Sequence, residues 1–169
     1  MEQSSDTVTK AKIDPKDKVI QIARYFVHQN DKDKKGLSPL KLQKLLYYAQ
    51  VWNLVKLGRP IFKDDIQAWV HGPAIPHVWG SFRDYNFSIE HPEITDEMFG
   101  SLLPEEKEVL DMVWNVYGKY DGKYLEMLSH NEEPWQEARR GIETEVPSRN
   151  IISPDTMKSY YEQRLKEAQ

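Results

Sequence analysis

The sequence predicts a mainly α fold: a single compact multi-helix domain with at most a small β-hairpin or strand pair. Apolar residues recur at three- and four-residue spacing through most of the chain. Serine–proline pairs or lone prolines stand where such runs begin, and glycines stand where they end. The length of 169 residues suits one domain carrying a tail. A chain of this size buries roughly 70% of its unfolded surface and folds without staples.

Each element follows from local chemistry. Residues 1–14 are polar and without apolar periodicity, and read as a disordered leader ahead of a helical domain over 15–169. Helical spacing begins with Val19, Ile22, Ala23, Phe26 and Val27, and the polar run Asn30 to Gly36 ends it. The next helix starts at Ser38, an N-cap, followed by Pro39 at the first helical position. Leu42, Leu45, Leu46, Ala49 and Trp52 or Asn53 mark one face, and Gly58 with Pro60 stops it. This helix is apolar on much of its circumference, as a central helix packed on several sides must be.

Residues 61–70, IFKDDIQAWV, read as a turn and an extended segment broken by Gly72-Pro73. A short strand pair is expected from residues 62–70 and 86–95. Pro76 opens a helix through His77, Val78, Phe82 and Tyr85. Another follows Pro104, with Leu110, Val113, Trp114 and Tyr117 on one face and Gly118 at its end. Asp121 caps a short helix through Tyr124, Leu125 and Leu128, and Pro134 begins a brief one holding Trp135 and Ala138. Ser153-Pro154 repeats the cap-and-proline start, with Met157, Tyr160, Tyr161 and Leu165 as the stripe.

Composition and motif searches remove most chemistries. There are no cysteines, so disulfides, zinc thiolates, iron–sulfur clusters and a cysteine nucleophile are excluded, in keeping with a reducing cytoplasm. No apolar run approaches the ~20 residues of a membrane helix, and the first 18 residues lack the apolar core of a secretory signal. The protein reads as soluble and cytoplasmic. His28, His71, His77, His91 and His130 form no HExxH pair, and His71 with His77 lacks an acidic third ligand, so no metal is expected. No GxSxG elbow and no phosphate-binding glycine loop is present. Asp64-Asp65 and Glu105-Glu106 are adjacent and point apart, so neither makes an acid/base pair. No catalytic residue and no cofactor is therefore expected.

Two binding functions stay open at this point. Lys32, Lys34, Lys35, Lys41, Lys44 and Lys56 could form a basic face for nucleic acid, as in a regulator of its own operon. A net charge of −4 and the lack of helix-turn-helix spacing weigh against it. Five tryptophans point instead to a protein interface over a packed core. Trp52, Trp69 and Trp114 are expected inside, while Trp79 and Trp135, beside prolines, are expected in part at the surface.

The run SPLKLQKLLYYAQVWNLVKLGRPIFKDDIQAWVHGPAIPHVW resembles the signature of the Panacea antitoxin domain family. That family includes SocA-like protease adaptors and GepA-like phage-associated proteins. The block Leu42 to Gln50 matches its first motif, Ala68, Trp69, Gly72, Pro73 and Pro76 its second, and Ser129, His130, Pro134 and Trp135 resemble its third. His71, Ala74 and Trp79 depart from the usual tyrosine, valine and tyrosine. The resemblance spans residues 18–163. It implies a non-enzymatic domain that neutralises a cognate toxin by direct contact, or hands it to a cytosolic ATP-dependent protease. It further implies a groove between the long helix and the Trp69–Trp79 loop. There Gln43, Lys44, Tyr47, Tyr48 and His71 would serve as polar contacts and Trp79 as an apolar anchor. Trp69, Gly72, Pro73, Pro76, Pro134 and Trp135 would shape the loop.

Overall fold

The computed structural model describes residues 17–169, and the leader expected over residues 1–14 lies outside them. Seven helices, one 3-10 turn and a two-stranded antiparallel sheet make up the described residues, so the protein is mainly α.

Helix α1 (Lys18–Asp33) turns Val19, Ile22, Ala23, Phe26 and Val27 inward, and each is almost fully buried. It runs a full turn... into the polar segment, to Asp33, and closes at Lys34, where φ is 53°. The Asn30 side chain stays inside and accepts the Gly36 N–H at 2.9 Å. Helix α2 (Pro39–Leu57) starts as its sequence dictates. Ser38 Oγ accepts the Lys41 N–H at 3.1 Å, and Gly58 ends the helix at φ 72°. From Lys41 to Val51 every residue is buried.

That total burial makes α2 the spine of the molecule. Helices α4 (Pro104–Tyr117), α5 (Gly122–His130) and α7 (Pro154–Glu167) pack around it together with α1. Leu42, Leu45 and Leu46 are 0% exposed, and each such side chain contributes about 1.5–3 kcal/mol by burial. Two short helices, α3 (Pro76–Phe82) and α6 (Glu133–Ala138), complete the shell.

The sheet differs from the expected pairing. Strand β1 (Gln67–Trp69) pairs with β2 (Gly72–Ala74), immediately after it, in the register Gln67 with Ala74 and Trp69 with Gly72. Gly72-Pro73 is thus the return strand rather than a breaker. The positive φ falls on Gly72, at 98°, while Val70 and His71 keep negative φ, as in a hairpin built on a type I turn followed by a glycine. Residues 86–95 form turns instead of a strand. His91 stacks on Tyr85 with ring centroids 4.2 Å apart, its Nε2 donates to Asn86 O, and the Asn86 side chain accepts from Ser88. These local bonds satisfy groups that a strand would offer to a neighbour.

Candidate recognition site

The polar residues of α2 form a ladder that holds the backbone of the following segment. Gln43 Oε1 accepts the Ile75 N–H at 2.7 Å, and Lys44 Nζ donates to Pro73 O at 3.0 Å. Further along, Gln50 accepts from Ile61 N at 2.9 Å and donates to Phe62 O at 3.0 Å. Asn53 donates to Arg59 O at 2.8 Å. The order is antiparallel: as the helix advances from residue 43 to 53, its partners run back from 75 to 59. Gln43 and Lys44 thereby do for the free edge of β2 what a third strand would do, since an unpaired buried backbone group is costly.

The other edge of the hairpin is held as closely. Ala68 N donates to Asn150 O and Ile152 N to Ile66 O, each at 2.8 Å. Trp135 Nε1 donates to Trp69 O at 2.8 Å. Arg139, 3% exposed, donates Nη1 to Ala68 O at 3.0 Å while Nη2 gathers the carbonyls of Glu143, Thr144 and Val146. One guanidinium therefore ties β1 to the loop that leads into α7.

Beneath the turn lies a cluster of polar side chains. Lys44 is 1% exposed, and its Cε stands 2.7 Å from where a Cβ on residue 72 would project. Glycine is required there for its space as well as for its φ. Ser129 Oγ closes the same space from α5 at 3.0 Å. Burial pushes the Lys44 amine down to about 7, with Glu126 pulling the other way. His71 Nδ1 donates to Glu126 Oε1 at 2.8 Å, while Glu126 Oε2 is buried without a hydrogen-bond partner. His130 stacks on Trp135 with centroids 4.0 Å apart and is held below its usual range by burial; its Nε2 is also buried and unpartnered.

These contacts redistribute the residues expected at a partner surface. Gln43, Lys44, Tyr47 and Tyr48 are interior, none more than 2% exposed, and Gln43 and Lys44 hold the hairpin backbone instead of presenting themselves to solvent. Tyr48 stacks on Tyr117 at 4.0 Å and donates to Glu132 Oε1 at 2.6 Å. Burial raises the phenols of Tyr47, Tyr48 and Tyr161 and the carboxyl of Glu132 alike. His71 remains outside, with its side chain 69% exposed. Trp79 is half-buried and meets Trp69 edge-on at 6.4 Å.

The tryptophan assignments change as well. Trp69, expected inside, is only partly buried, and its indole N–H is taken by Gln67 Oε1 at 2.8 Å. Trp135 is the inner peg, at 6% exposure. His77 pairs with Asp17 at 2.9 Å, away from the His71–Glu126 pair, so the two histidines do not converge. Among the described residues no group of three or more histidines and carboxylates is placed to hold a metal ion. Of the six lysines offered as a basic face, Lys41 and Lys44 are interior and Lys32 and Lys34 pair with Asp96 and Glu90.

Sequence reasoning missed Gln50, Asn53, Glu126 and Arg139. The first two carried a signal, polar residues on a helix that is apolar all round, at seven and ten positions beyond Gln43. Glu126 and Arg139 carried none. A cleft of about 580 Å³ between α6 and α7 is walled by Glu133, Glu137, Asp155, Tyr160 and Arg164 and includes no residue expected at the site. Its charged, open lining does not resemble a small-molecule pocket.

The architecture defines a class: a helical scaffold that holds a short hairpin by both edges and leaves its tip exposed. The family model described as "Antitoxin SocA-like, Panacea domain" matches residues 42–136, more than half of the chain, taking in most of α2, the hairpin and Trp135, while Arg139, Asn150 and Ile152 lie beyond it. The chain belongs to the Panacea domain family of SocA-like antitoxins, and its role is of the toxin–antitoxin kind. Neither a curated protein nor a solved structure matches it. Among the described residues no helix is long and apolar enough to cross a membrane.

Proposed function

We propose that the chain neutralises a protein toxin by direct contact through the hairpin face, in the cytoplasm and without catalysis or a cofactor. The observation that carries this reading is the contrast between the two sides of the hairpin. Its backbone is fixed by Gln43, Lys44, Trp135 and Arg139, while His71 at the tip is exposed and Trp69 and Trp79, edge to face, are only partly buried. A surface ordered before binding loses little further entropy on association. Half-exposed tryptophans are frequent anchors of such contacts.

Co-expression with the neighbouring reading frame tests the function. The neighbour should arrest growth alone and become harmless beside this protein; a neighbour that is harmless alone, or toxic in both settings, refutes the proposal. Within it, Trp79→Ala should weaken the complex by about 2 kcal/mol, roughly thirtyfold in Kd. His71→Ala should weaken it while leaving thermal stability unchanged. A steady toxin level in protected cells marks masking, and a level that falls only when an ATP-dependent protease is present marks delivery.

A further inference from the structure

Helix α5 leaves an apolar ridge on its outward side. Tyr124 and Met127, one turn apart, are 40% and 51% exposed. The ring of Tyr120, just ahead of the helix, stacks on Tyr124 with centroids 4.2 Å apart and planes at 20°. Exposed apolar surface rimmed by polar groups marks interaction sites. Methionine in particular adapts its shape to what it meets.

The charged groups around the ridge differ in what the fold asks of them. Its carboxylates are engaged: Asp33 accepts from Trp114 Nε1 at 2.7 Å, Asp121 caps α5 through Tyr124 N at 2.8 Å, and Glu126 accepts from His71 at 2.8 Å. Its ammoniums are not. Lys119 lies over the Tyr120 ring at 5.1 Å and Lys35 over the Trp114 ring at 5.4 Å, and among the described residues neither pairs with a carboxylate. Lys123 occupies the second position of α5, where a cation opposes the helix dipole, and its pair with Glu126 is loose at 4.0 Å. A residue that works against its own helix is explained by something other than the fold. The ridge is also joined to the hairpin, because Glu126, beside Met127 and one turn beyond Lys123, holds His71 at the tip.

We propose that the outward face of α5 is the second half of the recognition surface, and that it takes an apolar segment of the toxin with carboxylates beside its apolar side chains. Met127 and the Tyr120–Tyr124 pair receive the apolar groups, and Lys119 and Lys123 the carboxylates. This rests on the hairpin being the recognition surface and names the chemistry of what that surface meets.

Other occupants fit less well. A nucleic acid base stacks on an open ring, but Tyr120 has one face on Tyr124 and Lys119 over the ring. A chain of net charge −4 also repels a phosphate backbone. A second copy meeting the same face about a two-fold axis would set these lysines against one another.

Calorimetric titration of the full chain with the purified product of the neighbouring reading frame tests this. Met127→Glu should weaken the complex roughly tenfold or more. Lys119→Glu with Lys123→Glu should do the same, mainly by slowing association and with a flatter dependence on salt. The double change to arginine should keep the wild-type affinity. Melting separates recognition from a structural role: glutamate suits the first turn of α5, so Lys123→Glu alone should melt at or above the wild-type temperature while binding less tightly. If Trp79→Ala weakens the complex but Met127→Glu and the charge reversal leave it unchanged, this inference is overturned and the proposed function stands. If the wild-type chain does not bind that product, both are overturned. A wild-type dimer that Met127→Glu dissolves, or binding to a DNA oligonucleotide that the charge reversal abolishes, with the toxin complex untouched in either case, assigns the face to that other occupant and overturns it as well.

Discussion

Gln43→Leu isolates one rung of the ladder. Leucine keeps nearly the same volume at a position 2% exposed, so packing against α2 survives while the acceptor for Ile75 N–H is lost. Ile75 is itself 1% exposed, so water cannot reach the orphaned donor. Leaving such a donor unpaired costs about 1–3 kcal/mol, offset in part because a buried amide is no longer desolvated. A net loss of about 2 kcal/mol lowers Tm by roughly 4–8 °C for a domain of this size. Thermal and urea unfolding would measure it, with the urea m-value unchanged because the exposed surface is the same. Gln50→Leu should cost more, since it removes the partner of Ile61 N and both groups of Phe62. A Tm shift under ~1 °C for Gln43→Leu, with unchanged exchange of the Ile75 amide, would show that α2 does not hold the hairpin.

Three more predictions concern the same frame. Gly72→Ala forces a Cβ against Lys44 at a φ of 98°, and should destabilise by about 2 kcal/mol or more in a melt, well beyond Gly58→Ala, which has open space around it. Lys44 binds its proton less tightly folded than unfolded, so the unfolded chain holds more protons between about 7 and the ordinary lysine value of 10.5. Stability should then rise with pH across that window, by at most about 1.4 kcal/mol per pH unit from this group, and Lys44→Met should flatten the slope in chemical denaturation. Arg139→Met removes the donor to four backbone carbonyls and should cost about 3 kcal/mol or more, with exchange at the β1 amides rising first.

The helices were legible because each is announced locally. Ser38, Asp121 and Ser153 cap as their spacing predicts, and Pro39, Pro104 and Pro154 occupy the first helical position. The hairpin was not, because its strands have three residues each and its pairing depends on φ at Gly72 and on side chains from α2. The site was legible in part. His71 and Lys44 were both expected as polar contacts, but the partner of His71 is Glu126, 55 positions away, and nothing local announces such a contact. Burial misled most at Tyr47 and Tyr48, where polar atoms suggested a surface. The interior instead supplies Glu132 for Tyr48 and the Tyr161 hydroxyl for Tyr47.

The burial of Gln43 and Lys44 alters what the LQKLLYYAQ block is for. A helix that is apolar on every side could pack in several rotations about its axis, because apolar contacts are non-directional. Four polar side chains, each with a backbone partner between residues 59 and 75, admit only one rotation and one register for the segment that follows. Specificity of this kind is what directional hydrogen bonds from buried polar groups supply. The block therefore determines where the hairpin stands, and under the proposed function the outward side chains would determine what it meets. Substitution at His71 or Trp79 would leave every rung in place, so a face of this kind could change its partner without the scaffold changing its fold.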